Sequence, residues 1–347
     1  MGGTESLADL TTLRVGGPAG TLITADTEAE LIDAVRTADE AGDPVLVLGG
    51  GSNVLIGDDG FDGTVVRIAT HGIDADVSTC SGATVRVAAG EDWNSLVARS
   101  VEQEWSGIEA LSGIPGLVGA TPIQNVGAYG SEVSQTIASV RTWDRVECRQ
   151  ATFSVADCGF GYRWSRFKAE PDRYLVLEVT FQFSLGSLSA PVRYAELART
   201  LGVAVGTRVP AAEVRTAVLQ LRAGKGMVLD PSDHDTWSAG SFFTNPILTS
   251  AEAAQLPAEA PRYGQPDGRV KTSAAWLIEH AGFGKGFGAE VGTGRARLSS
   301  KHTLAVTNRG SASADDVLDL ARAVRAGVEQ RFGITLIPEP VLVGCRF

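Results

Sequence analysis

The sequence predicts an α+β or α/β chain folded in several lobes, and three observations carry that expectation. At 347 residues the chain is too long for one small core, so two or three domains are expected. Its N-terminal and C-terminal stretches alternate helix and strand signals. Between them, from Val85 to Phe183, short β-like runs are interspersed with helical and glycine-rich stretches.

Taken in order, Leu22-Ile23 read as strand and lead to Thr27 and Glu30, a Thr-x-x-Glu capping box that opens a helix. Leu31, Ile32, Val35 and Ala38 share one helical face, and Gly42 is the natural stop. Pro44 to Leu48 reads as a buried strand running into Gly49-Gly50-Gly51-Ser52-Asn53, and a second strand covers Thr64 to Ile68. Further on, Val85-Arg86-Val87 and Leu175-Val176-Leu177 are strand-like, and the small-residue run Ser184 to Pro191 reads as a connection. Helices are expected near Val214–Arg222, near Ala274–His280 and over Ala314–Phe332. The last has Val317, Leu320, Ala321, Val324 and Val328 on one face, Ser313 as N-cap and Gly333 as stop.

Composition narrows the function. The 44% hydrophobic and 20% charged content is that of an ordinary globular protein. No apolar run approaches the roughly 20 residues of a membrane helix, and the N-terminus does not read as a signal peptide, so a cytoplasmic protein is expected. A net charge of -11 argues against a nucleic-acid surface. If the ligands are phosphorylated, local cations must capture them against that field. Cys80, Cys148, Cys158 and Cys345 form no CxxC pair, and His71, His234, His280 and His302 show neither HxH nor HExxH spacing; no metal is expected.

Two glycine-rich loops carry chemistry. Gly49 to Asn53 follows a strand and offers backbone N–H groups to an anion, yet it lacks the Gly-Lys-Ser/Thr of a P-loop and the third glycine of a Rossmann turn. Alone, it reads equally as a tight turn. The second loop runs Gly113-Ile114-Pro115-Gly116-Leu117-Val118-Gly119-Ala120-Thr121-Pro122 into Ile123-Gln124-Asn125-Val126-Gly127-Ala128-Tyr129-Gly130. Glycines and prolines at this density exclude a regular helix or strand. A structural loop explains the glycines but not the amides of Gln124 and Asn125, which suit a pyrophosphate and a flavin ring.

Other segments concentrate polar groups. Phe160 to Lys168 sets Arg163, Arg166 and Lys168 among aromatics, as a site or as a basic surface turn. Lys225 lies between glycines after a helix, as a ligand contact or an exposed lysine. In Gly240-Ser241-Phe242-Phe243-Thr244-Asn245-Pro246, Ser241 has no G-x-S-x-G elbow or triad partner spacing, which disfavours a hydrolase nucleophile and suits a positioned hydroxyl donor. Glu339, between Pro338 and Pro340, is held stiffly, as a functional carboxylate or an edge-strand glutamate.

Together these stretches, with Thr12-Leu13-Arg14-Val15-Gly16-Gly17 at the start, resemble the UDP-N-acetylenolpyruvoylglucosamine reductase (MurB) family and occur in that family's order along almost the whole chain. The resemblance implies an FAD-binding fold of the PCMH, or vanillyl-alcohol-oxidase, type in two lobes (1–75 with 334–347, and 76–207). An α/β substrate-binding domain over 208–333 completes it. It implies non-covalent FAD held by Gly49 to Asn53, by Gly113, Ile114, Pro115, Gly116, Thr121 and Pro122, and by Gln124, Asn125, Gly127, Ala128, Tyr129 and Gly130. The family's catalytic trio maps onto Arg163, Ser241 and Glu339, and its substrate contacts onto Tyr162, Tyr194, Lys225, Asn245, Tyr263 and Lys271. Tyr194 and the long third lobe resemble the type I branch. Thr244 stands where many relatives have lysine, and His302 where some have glutamine.

The implied activity is NADPH-dependent reduction of UDP-N-acetylglucosamine enolpyruvate to UDP-N-acetylmuramate for peptidoglycan synthesis. A monomer is expected. In the implied reaction Ser241 is the proton donor, while Arg163 and a protonated or hydrogen-bonding Glu339 hold the substrate carboxylate. Two other readings stand beside it. One is an FAD oxidase of the same superfamily, which would leave flavin bound in an acid-precipitated pellet. The other is a nucleotide-sugar binder that catalyses nothing.

Overall fold

The computed structural model describes residues 5–347, and the chain divides into two compact units. One contains the residues up to Ala19, Gly51–Phe61 and Lys225–Phe347; the other contains Gly20–Gly50 and Asp62–Gly224. Of the expected segments, 76–207 lies within the second unit and 334–347 within the first, whereas 1–75 is divided between both. The stretch 208–224 joins the second unit rather than the rest of 208–333, because the helix Ala211–Gly224 buries Val214, Ala217 and Val218 against Val192, Leu197 and Ala198.

In the second unit, the strands Ala19–Ala25, Phe61–Ile68 and Val45–Leu48 form one sheet, in that order. The helix Glu28–Ala41 packs on it through Leu31 and Val35. Thr27 and Glu30 close the reciprocal capping box, and Gly42 ends the helix in the left-handed conformation, φ 72°. The strand expected to be buried, Val45–Leu48, buries only Leu48, because it lies at the sheet edge and one flank has no neighbour. A larger sheet orders Arg149–Ser154, Ile137–Asp144, Tyr174–Leu185, Gly82–Ala88 and Ile73–Ser78, with Trp105–Ser106 paired beside Leu185. Alternate residues Val85, Val87, Val179 and Phe181 point into one core with Trp93 and Leu96. The expected connection begins later than Ser184: the strand runs to Leu185 and the chain turns at Gly186, φ 140°.

In the first unit the longest helix, Ala314–Phe332, begins at a Ser313–Asp316 capping box and stops at Gly333. Its buried face, Val317, Leu320, Ala321, Val324 and Val328, meets Leu277 and Ile278 of the helix Ala274–His280 in one core with Phe242 and Phe243. A sheet orders Ser238–Ser241, Ala305–Asn308 and Ala296–Leu298. The C-terminal strand Val341–Val343 pairs in parallel with Val54–Ile56, which brings the chain's end back to the segment after the first glycine loop. No helix among the described residues is long and apolar enough to cross a membrane.

Candidate active site

Within the second unit, two tight turns and one amide build the site. Gly127-Ala128 and Ser131-Glu132 pair across the two-residue turn Tyr129-Gly130. Both turn residues have positive φ, 50° and 80°, the geometry that matches strand twist in a short hairpin. A second turn forms where Gly161 and Trp164 exchange backbone hydrogen bonds of 3.0 and 3.2 Å, leaving Tyr162 and Arg163 at its tip. Arg163 is also left-handed, φ 51°, and its Nη2 donates to Gly127 O at 2.8 Å while its guanidinium lies 5.4 Å from the Tyr162 ring.

Asn125, 1% exposed, ties the turns together. Its Nδ2 donates to Glu132 Oε2 (2.9 Å) and Gly161 O (3.0 Å), and its Oδ1 accepts from Ser134 N at 3.2 Å. The expected cofactor contact at Asn125 is therefore a side chain whose amide is already engaged in bracing the loop. Ser165 Oγ donates to Ile123 O and Lys168 Nζ to Arg163 O, fixing the base of the second turn.

Tyr129 meets Tyr194 edge-on at 5.7 Å between ring centroids. Burial pushes the Tyr129 phenol up to about 12, and burial lowers the neighbouring Arg222 guanidinium to about 10. Arg222 thus remains a cation at neutral pH in a desolvated place. Sequence reading passed over it as the end of a helix; a desolvated cation beside Tyr129 shows only in three dimensions.

The glycine loops fit a nucleotide cofactor. A Cβ on Gly50 would lie 2.8 Å from Gly116 Cα, so the two loops approach with no room for a side chain on Gly50. No loop or turn carbonyl among the described residues accepts from the N–H of Gly50 or Gly51. Close backbones with unengaged donors are what a diphosphate-bearing group such as FAD requires. Gly113 N donates to Asn94 Oδ1 at 2.8 Å, and Thr121 Oγ1 to Val118 O at 2.8 Å. Those groups shape the second loop.

Within the first unit, the segment carrying Ser241 pairs with the one carrying Glu339. Glu339 N donates to Phe242 O at 2.8 Å, Thr244 N to Ile337 O at 3.0 Å, and Phe243 bridges Pro338. Asn53 joins them: its Nδ2 donates to Glu339 O at 3.4 Å and its carbonyl accepts from Val341 N at 3.0 Å. Phe242 and Phe243 are buried and anchor the segment on either side of which Ser241 and Asn245 emerge half-buried. Asn245 Oδ1 accepts from Ala274 N at 2.9 Å, at the start of a helix. Lys271 pairs across strands with Tyr263 and Ile247, and the Tyr263 ring is exposed.

Left-handed φ values outside glycine occur at six described residues, Arg14, Glu104, Asn125, Tyr129, Cys148 and Arg163. Tyr129 and Arg163 lie in the turns just described and Asn125 braces them, a concentration of strain expected where geometry serves function.

Comparison with known proteins agrees with this architecture. A family model described as an FAD binding domain matches residues 19–147, and one for the UDP-N-acetylenolpyruvoylglucosamine reductase C-terminal domain matches residues 230–343. A UDP-N-acetylenolpyruvoylglucosamine reductase of Cutibacterium acnes is 64% identical over 98% of this chain and 89% of its own length. One of Streptomyces coelicolor is 59% identical over 97% of this chain and 89% of its own. Among solved structures, the UDP-N-acetylenolpyruvylglucosamine reductase (MurB) of Thermus caldophilus aligns with a TM-score of 0.66 and 27% identity, covering 98% of this chain and 97% of that one.

Proposed function

The chain belongs to the UDP-N-acetylenolpyruvoylglucosamine reductase family and is an FAD-dependent oxidoreductase; from that premise we propose that it reduces UDP-N-acetylglucosamine enolpyruvate to UDP-N-acetylmuramate, using NADPH, in the cytoplasm as a step of peptidoglycan precursor synthesis. The observation that carries the reading is the pairing of the Ser241–Thr244 segment with Ile337–Glu339, which sets a hydroxyl and a carboxylate on adjoining segments against a buried diphenylalanine anchor.

FAD, when bound, supplies the hydride. The protein must handle what hydride addition leaves behind: a carbon next to the substrate carboxylate that has become electron-rich and needs a proton. Ser241 donates it through Oγ. A serine hydroxyl is a weak acid in water, and only the basicity of that carbon together with fixed placement makes it competent. Arg163 holds the carboxylate with a planar fork already oriented by Gly127 O, and Glu339 is a hydrogen-bonding partner for the developing charge. Gly49 to Asn53, Gly113 to Pro122 and Gln124 to Gly130 hold the cofactor. Tyr162, Tyr194, Lys225, Asn245, Tyr263 and Lys271 hold the nucleotide sugar, the lysines giving local cations against the chain's net charge of -11.

The test is anaerobic. NADPH should bleach the flavin absorbance of the purified protein, and adding UDP-N-acetylglucosamine enolpyruvate should restore it with formation of UDP-N-acetylmuramate. A flavin that stays bleached until oxygen is admitted would overturn the reading in favour of an oxidase.

A further inference from the structure

Ser241 stands just past an irregular stretch of its strand. Gly240 is left-handed, φ 74°, and the register of Ser238–Ser241 against Ala305–Asn308 shifts between Ser238 and Ser241. An irregularity of this kind re-aims the side chain beyond it, so the ladder alone does not set the direction of the Ser241 hydroxyl. The residues after Ser241 do. Side chains in a regular strand alternate between faces, yet Phe242 and Phe243 are both buried, with ring centroids 5.2 Å apart. The backbone leaving Ser241 therefore follows whatever supports these two rings.

A third ring supplies that support. Phe347 lies 5.9 Å from Phe242 and 6.0 Å from Phe243 between ring centroids, tilted 58° and 54°, within the range where aromatic pairs attract. Phe347 is itself held. Arg325, on the helix Ala314–Phe332, sets its guanidinium 4.1 Å from the centre of the Phe347 ring, a cation–π contact. From the same helix Arg322 Nη2 donates to Arg346 O at 2.6 Å, and Cys345 Sγ donates to Leu55 O at 3.5 Å.

One stretch of chain thus grips the Ser241 segment at two points. Glu339 N donates to Phe242 O at 2.8 Å, and further along the same stretch Phe347 packs on both rings. Between the two contacts, Val341–Val343 pairs in parallel with Val54–Ile56, which fixes their spacing. We infer that Phe347 is a positioning residue: it holds the Phe242–Phe243 pair and through that pair aims the Ser241 hydroxyl for proton transfer. The inference rests on the proton-donor reading above. An acid as weak as serine is competent only when fixed in place, and a misplacement of about 1 Å costs about a hundredfold in rate. Without the Phe347 ring, Phe242 and Phe243 gain space to relax into, and Ser241 moves with them.

Holoenzyme variants timed in the two half-reactions test this. Phe347→Ala should slow flavin reoxidation by UDP-N-acetylglucosamine enolpyruvate about ten- to a hundredfold, while flavin reduction by NADPH stays near the wild-type rate. A double-mutant cycle with Ser241→Ala separates positioning from bulk packing. Because Phe347 acts through Ser241, adding Phe347→Ala to Ser241→Ala should change reoxidation by less than about twofold. Losses that multiply in the double variant, equal slowing of both half-reactions, or wild-type reoxidation in Phe347→Ala would each overturn the inference. Should Phe347→Ala fold poorly, Phe347→Leu keeps most of the apolar volume and should show the same pattern with a loss of about three- to tenfold. Ser241→Ala reoxidising as fast as wild type would overturn the proton-donor reading itself, a failure visible in that single variant without the cycle.

Discussion

Gly50→Ala is the sharpest test of the glycine cradle. The added Cβ would sit 2.8 Å from Gly116 Cα and 3.4 Å from Gly116 C. Carbon atoms rest about 3.5–4.0 Å apart, so the overlap is roughly 1 Å against backbone on both sides, with no side chain free to rotate away. Overpacking of that kind costs about 1–3 kcal/mol. If the two loops separate in the apoprotein and close on the cofactor, the cost falls on binding, and the FAD dissociation constant rises about 5- to 150-fold. If the loops cannot separate, the cost falls on folding and lowers the melting temperature of a protein this size by about 1–4 °C. Flavin titration and thermal melting of the same preparation read both. Gly224→Ala is the control: its Cβ meets nothing within 4 Å, in a helix where alanine is favoured. Unchanged FAD affinity together with an unchanged melting temperature in Gly50→Ala would refute the reasoning.

Other substitutions probe separate parts. Arg163→Lys replaces a planar fork by a point charge and should lower the rate of substrate reduction about a hundredfold or more while FAD affinity holds; near-wild-type turnover would contradict the carboxylate role. Asn125→Ala removes the amide that links Glu132, Gly161 and Ser134, and should cost about 2–4 kcal/mol in chemical denaturation. Asp235 gives a pH test. Burial by itself raises its carboxyl, but hydrogen bonds from Ser300 and the Arg309 guanidinium outweigh that and hold it below the ordinary carboxylate value. A lowered value stabilises the fold above the unfolded pKa of about 4, and the contribution disappears as pH falls through the lower folded value. Asp235→Asn should therefore destabilise by roughly 2–3 kcal/mol at neutral pH, the partly exposed Arg309 keeping it below a fully buried pair, and the two proteins' unfolding free energies should converge below about pH 4.

Local signals were the most legible part of the sequence. The capping residues Thr27 and Ser313 and the stops Gly42 and Gly333 act within one helical turn, and each does in the structure what its residue type implies. Helix faces such as Val317 to Val328 were equally plain, since 3.6-residue periodicity survives whatever they pack on. Nonlocal pairing was not legible. Ile137–Asp144 and Arg149–Ser154 carry half-polar sequences whose strand character depends on neighbours across the sheet. Burial of Val45–Leu48 was overestimated because an apolar run does not say whether its strand is central or at an edge. Sequence order marked as candidates the segments carrying Arg163, in the second unit, and Ser241 and Glu339, which the first unit pairs through Phe242 O and Glu339 N. It did not show that Asn125 faces inward as a brace, or that Arg222, Arg14 and Trp237 have buried donors, because desolvation is a property of the packed chain.

The central claim, that Ser241 delivers the proton in substrate reduction, is tested most directly by timing the two half-reactions of Ser241→Ala in anaerobic stopped flow. Flavin reduction by NADPH should proceed at nearly the wild-type rate, and reoxidation by UDP-N-acetylglucosamine enolpyruvate should slow about 10²- to 10⁴-fold. Equal slowing of both halves, or reoxidation as fast as wild type, would contradict it.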